Sequence, residues 1–214
     1  WALSGGLPRV AAAARDADPP TFRLALASDL HFGQPGTPFA KNTAQLVAKL
    51  NEEKQERGLD AVFLNGDIVH DSTADYEELK NSYLKKLDTP YYAIKGNHDF
   101  VDEQPGSPTE SWDAIWGYPT NHVVTLGELA FVLADTSVSR QANRYLPADI
   151  DWLKKQLEAL KDRETIFVIM HIAQRKQGVQ GWPRFGVGHQ EGEDTKAGEA
   201  VMRLLESCPH VKAV

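Results

Sequence analysis

One cysteine, Cys208, stands among the 214 residues, so no intramolecular disulfide and no cysteine-built zinc site can form. That leaves the cellular compartment open, because exported chains also do without disulfides. No apolar run comes near the ~20 residues that a membrane-spanning helix needs. Positive charge is in the minority. With 23 Lys and Arg against 30 Asp and Glu the net charge is −7, which removes the overall basic footprint of a nucleic-acid-binding domain. Repeats of fixed period and low-complexity tracts are lacking too. So are a P-loop, the G-x-S-x-G elbow, the H-E-x-x-H helix and the Rossmann glycine pattern. What is present is an apolar fraction of 42%, enough for a real core in one large domain or two small ones.

Residues 1–20 read as a segment ahead of the fold. Ala11-Ala12-Ala13-Ala14 resembles the tail of an export signal, and equally a frayed terminus. The first reading puts the protein in a bacterial periplasm and the second leaves it in the cytoplasm; both stay open. Arg15 to Pro20 is polar and Pro-rich, as a linker is. Residues 21–214 read as one domain. Short apolar runs at 22–28, 61–64, 91–94 and 165–170 predict strands, and 122–126 with 129–134 bracket Gly127-Glu128 as a hairpin. Helical spacing marks 43–50, 76–87, 112–116, 150–160 and 197–205, with 174–194 irregular and a further strand opening at 211. Strands alternating with helices predict an α/β domain, to which the hairpin adds antiparallel strands.

Four of the predicted strands are followed at once by side chains able to hold a metal. They are Asp29-Leu30-His31, then Asn65-Gly66-Asp67-Ile68-Val69-His70-Asp71, then Lys95-Gly96-Asn97-His98-Asp99, and later His171. Ligands of α/β sheets collect beyond the carboxyl ends of strands, so these groups are expected to converge. Asp, Asn and His without thiolate suit Mn, Fe, Zn, Ni or Co. The period of a strand would put Asp29 and His31 on one face. Asp67 has two oxygens and can bridge two cations. Such a pair, roughly 3.5–4 Å apart, clamps a phosphoryl group and turns a shared water into a nucleophile toward phosphorus. Gly66 and Gly96 fit tight turns that bring backbone close to the cluster. Taken singly, the aspartates read as caps, Asn97 as a turn residue and the histidines as core or surface residues. Four blocks in this order favour the metal-centred reading.

In that order, Asp29-Leu30-His31, Gly66-Asp67, Gly96-Asn97-His98-Asp99 and His171 resemble the signature of calcineurin-like metallophosphoesterases, from about residue 22 to the end. The resemblance implies a four-layer α/β/β/α sandwich, two mixed sheets with helices outside, and two divalent or trivalent metal ions. It implies that Asp29 and His31 bind the first ion, that Asp67 bridges both, and that Asn97 and His171 bind the second. His98 would bind no metal and would face the phosphate; Asp99 would support His98 or its loop from behind. The implied substrate is a small phosphate ester, mono- or diester, with no nucleic-acid partner expected and the oligomeric state open. The Gly96 to Asp99 block and the compact size are similar to bacterial cyclic-nucleotide phosphodiesterases and small-molecule phosphatases. A non-catalytic binding protein on the same fold is the alternative.

The family signature goes on to G-H-x-H after a helix and a strand, and Val214 precedes any such block. The expectation is that each metal lacks one histidine here and binds weakly. Gly188-His189-Gln190-Glu191 is only a partial likeness, inside the irregular segment. His70 takes the place where related purple acid phosphatases carry a metal-bound tyrosine, so no tyrosinate–iron colour is expected. His70 itself reads as a structural or rim residue and Asp71 as a turn or cap. Arg175, Lys176, Trp182, Arg184 and Phe185 read as a solvated loop with anchoring aromatics, or as lining for the mouth of the site.

Overall fold

Successive side chains of a strand point to opposite faces, so a strand apolar at every position must be covered on both. β3 (Ala61–Asn65) is such a strand: its first four residues are all buried. It lies between β2 (Leu24–Ala27) and β4 (Tyr91–Ile94), parallel to both. The computed structural model describes residues 9–10, 21–99, 111–137, 147–175, 187 and 194–214. Its second sheet has the order β1 (Arg9–Val10), β5 (His122–Leu126), β6 (Leu129–Leu133), β7 (Thr165–Ile169) and β8 (Val211–Ala213). Among the described residues only its β5–β6 hairpin is antiparallel. The expected pair of sheets is there, and among the described residues the three-stranded one is wholly parallel. Its strands follow one another through helical crossovers, and no hairpin joins them.

The two sheets pack face to face. Ala61, Phe63, Tyr92 and Ile94 meet Val124, Leu126, Phe131 and Leu133, with the Phe63 and Phe131 rings 4.6 Å apart. Val62, Leu64 and Ala93, on the other face of the small sheet, are covered by α1 (Phe39–Arg57) and by the helical segment that starts with α2 (Asp75–Glu78). α3 (Ser111–Trp116) completes that cover with Trp112 and Trp116. Ala130, Val132, Ile166 and Val168, on the outer face of the large sheet, are covered by α4 (Ile150–Ala159) and α5 (Asp194–Glu206). The result is helix, sheet, sheet, helix. Among the described residues no helix is long and apolar enough to cross a membrane.

Two helices differ from their predicted form. α1 runs well past the periodic stretch 43–50, because that stretch is only its buried stripe; Gly58, in the left-handed conformation, closes it with its N–H on Lys54 O. The predicted helix 76–87 is instead α2, a π turn at Leu79–Tyr83 and a 3₁₀ turn at Leu84–Lys86. Leu79 and Leu84 are both buried. Five residues apart, they would diverge by about 140° on a regular α-helix, and the wider turn brings them back to one face.

His122 opens β5 and is buried against Tyr118, with its Nδ1 3.0 Å from Thr120 O. Burial pushes its pKa down from 6.5 to about 4. Between those values the unfolded chain takes up a proton that the folded one refuses, so stability falls as pH drops through this window. The expected loss is up to about 3 kcal/mol. In urea titrations at pH 7 and pH 4, His122→Gln should lose that much less stability than the parent; equal losses in both proteins would refute the assignment.

Candidate metal centre

Beyond their last residues, β2 and β3 stay paired through their loops. Asp29 N–H donates to Gly66 O at 3.1 Å, His31 N–H to Asp67 O at 2.8 Å and Phe32 N–H to Ile68 O at 3.0 Å. The backbone here is not extended: φ is 58° at Asp29, 43° at His31, 49° at Asp67 and 57° at Asp71. Non-glycine residues hold such angles at a cost on the order of 1 kcal/mol each, and they gather at functional sites. This corrects the expected reason for the pairing of Asp29 and His31. Left-handed turns, and not the alternation of a strand, set their directions.

The third loop is bolted to the second by Asp99. Its buried carboxylate accepts from Ile68 N and Val69 N, both at 2.9 Å, and from Gly96 N at 2.7 Å. Burial raises its pKa to about 6 against the pull of those donors. His98 N–H donates to Asp67 Oδ1 at 2.8 Å. Asn97 is buried between Gly96 and His98. The loops touch so closely that a Cβ on Gly66 would lie 2.5 Å from the His171 ring and 2.8 Å from Gly96 Cα, and one on Gly96 would overlap the backbone N and Oδ1 of Asp67. Gly96→Ala should therefore destabilise the protein by about 3 kcal/mol, read from its urea midpoint; a change under about 0.5 kcal/mol would show that the loops can separate at little cost.

Within this frame the two oxygens of Asp67 face different histidines. Oδ2 is 3.6 Å from His31 Nε2, and Oδ1 is 3.3 Å from His171 Nε2. Asp29 Oδ1 is 3.9 Å from His31 Nε2, and its other oxygen accepts from the Ser28 hydroxyl. His171 Nδ1 lies 2.7 Å from Asn65 O, which fixes the ring with Nε2 toward Asp67. Ligand atoms of Asp29, Asp67 and His171 all lie within 4.8 Å of one another, as do those of His31, His70 and His98. Donors that share a small cation at about 2.1 Å sit roughly 3–3.5 Å apart, close to the separations around Asp67. Carboxylate and imidazole without thiolate also match the chemistry of a divalent ion. Asp29, His31, Asp67 and His171 fit a metal group.

Residues 22–208 match the calcineurin-like phosphoesterase family. The chain belongs to that family. Over 116 residues it is 30% identical to a probable glycerophosphodiester phosphodiesterase of Arcobacter nitrofigilis, a match covering 52% of this chain and 41% of that one. Over 130 residues it is 27% identical to a 3',5'-cyclic-nucleotide phosphodiesterase of Nostoc sp., covering 59% and 45%. The matched region is thus less than half the length of either curated relative. The crystal structure of a dimetal phosphatase from Danio rerio shares the fold, with a TM-score of 0.58 at 14% identity over 90% of this chain and 80% of that one.

The electrostatics of this site follow from its burial. Burial alone would raise Asp67; the His171 ring and the His98 N–H outweigh it and hold the carboxyl below its usual range. Burial lowers His31, with Asp67 and Asp29 pulling the other way. Burial also works against a charged His171, but Asp67 and the Asn65 carbonyl prevail and raise it to about 9. A bound cation has to displace that proton, because metal ligation requires the neutral ring.

Sequence reading missed one partner. His98 Nδ1 is 2.9 Å from Asp71 Oδ1, so Asp71, read as a turn or cap, holds the His98 ring, while Asp99 holds the loop. Asp71 does occupy a left-handed turn, and its N–H donates to His98 O at 2.9 Å. No spacing rule could have shown that its carboxylate crosses to the third loop. Arg175 pairs with Glu206 at 2.8 Å, on α5. Lys176, Trp182, Arg184, Phe185 and the 188–191 stretch lie outside the described residues.

Proposed function

We propose that this chain carries the catalytic centre of a dinuclear metal-dependent phosphoester hydrolase, with a small phosphodiester as the preferred substrate. The carrying observation is the placement of Asp67, one carboxylate oxygen toward His31 and the other toward His171. A single buried carboxylate presented to two sides is what two neighbouring cations require. Asp29, His31 and Asp67 Oδ2 would hold one ion; Asp67 Oδ1, His171 and Asn97 would hold the other. Mn, Fe, Zn, Ni and Co all suit this donor set. When bound, the ions activate a water and offset charge on the phosphoryl oxygens.

The remaining steps fall to this chain's own groups. Asp71 takes up His98 Nδ1 and leaves Nε2 for a phosphate oxygen or for protonation of the leaving oxygen. Asp29 is exposed, so the site is open to a ligand from solvent. Asp99 keeps the His98 loop in register with the Asp67 loop. The diester preference is supported by the two curated relatives, both named as phosphodiesterases. The test is hydrolysis of bis(p-nitrophenyl) phosphate, p-nitrophenyl phosphate and cyclic AMP after chelation and after return of Mn. Mn-dependent turnover, faster on the diesters, is expected. No turnover on any ester with Mn shown to be bound would end the proposal.

A further inference from the structure

His70 is outside the proposed ligand set, yet three contacts meet on it. Its Nδ1 lies 3.0 Å from His31 Nδ1. Its ring stacks on that of His98, with centroids 5.0 Å apart and 12° between the planes. Its Nε2 lies 3.7 Å from Asp71 Oδ2, and the other oxygen of Asp71 holds His98. The backbone is fixed as well, since His70 N–H donates to Phe32 O at 2.9 Å.

Two ring nitrogens at 3.0 Å form one hydrogen bond, in which one donates and the other accepts. The far side of His31 decides which. Its Nε2 faces Asp67 Oδ2 at 3.6 Å and Asp29 Oδ1 at 3.9 Å, too long for hydrogen bonds and near the spacing of donors around a shared cation. To bind a cation there, Nε2 must be bare. A neutral His31 then carries its proton on Nδ1 and donates it to His70. His70 accepts at Nδ1, so its own proton sits on Nε2, on the side of the Asp71 carboxylate.

We propose that His70 is a positioning residue that locks His31 in its metal-binding tautomer and, through Asp71, ties that ligand to His98. The inference rests on the metal-centre reading above. Ligating histidines commonly donate their second N–H to a carboxylate, a carbonyl or water. Here the acceptor is another imidazole, itself turned by a carboxylate. A phenyl ring could stack on His98 but would offer His31 no lone pair. A rim or spacer role, the simpler reading of His70, requires neither the nitrogen contact nor its direction.

The test combines ring ¹⁵N chemical shifts with zinc titration calorimetry on the parent, His70→Phe and His70→Gln. In the zinc-titrated parent, His31 Nδ1 and His70 Nε2 should carry the protons. His70→Phe, which keeps the stack and removes the acceptor, should weaken zinc binding by roughly 10- to 100-fold. His70→Gln, which returns an acceptor oxygen, should recover most of that loss. A proton found on His70 Nδ1, or unchanged zinc affinity in His70→Phe, overturns the proposal. Should the Phe variant fail to fold by circular dichroism, the ring shifts of the parent decide alone. A parent that binds no zinc counts against the metal centre itself. The relay is then judged in the metal-free spectrum, where a His70 proton on Nε2 supports it and one on Nδ1 overturns it.

Discussion

Asp67→Asn should lose phosphoester hydrolysis by roughly 10³-fold or more, on the order of 4 kcal/mol in the barrier. The substitution is nearly isosteric, and its amide oxygen can still accept from the His98 N–H that now reaches Oδ1 at 2.8 Å. What it removes is charge and the second acceptor. His31 and His171, 3.6 and 3.3 Å from the two carboxylate oxygens, would no longer share an anion with a cation on each side. The pKa of His171, held at about 9 against burial chiefly by this carboxylate, should fall as well. Metal content by elemental analysis, the His171 titration by NMR and kcat/KM on a diester together check the result. Activity within tenfold of the parent, with the fold intact by circular dichroism, would remove Asp67 from the centre of the account.

Asp99→Ala should lower the unfolding free energy by about 3 kcal/mol, because buried N–H groups left without an acceptor cost roughly 1–3 kcal/mol each and the loss of a buried charge offsets part of that. Three backbone N–H groups, those of Ile68, Val69 and Gly96, would lose their acceptor in a place that water does not readily reach. Those amides should exchange with solvent much faster, while amides of the β5–β6 hairpin keep their protection. Asp99→Asn, with a single acceptor oxygen, should fall between the two. A loss under about 1 kcal/mol in the alanine variant would mean that other contacts hold the loops together.

The parts of this molecule that sequence reveals are those governed by period and order. The unbroken apolar run Ala61 to Leu64 made a strand legible, and Gly127-Glu128 between two apolar runs marked the hairpin. Polar residues just past strand ends were legible as a converging set, and Asp29, Asp67 and His171 do meet. Contacts made through space were not. Asp71 reaches His98 from a different loop, and His70 meets His31 across 39 positions of chain. Backbone handedness was hidden too, since nothing in Asp-Leu-His announces φ angles of 58° and 43° at its ends. The π turn at Leu79–Tyr83 escaped for a related reason: packing widened a segment whose local preference was an ordinary helix.

The left-handed angles at Asp29, His31, Asp67 and Asp71 set a hazard for anyone hardening this protein against heat. Glycine would relax each of these positions, and a design procedure scored on folding alone would choose it. Each such gain in melting temperature would delete a carboxylate or an imidazole from the cluster of candidate metal ligands and their partners. Thermostabilisation should spare these positions and begin on the exposed sides of α1 and α4, which carry none of these residues.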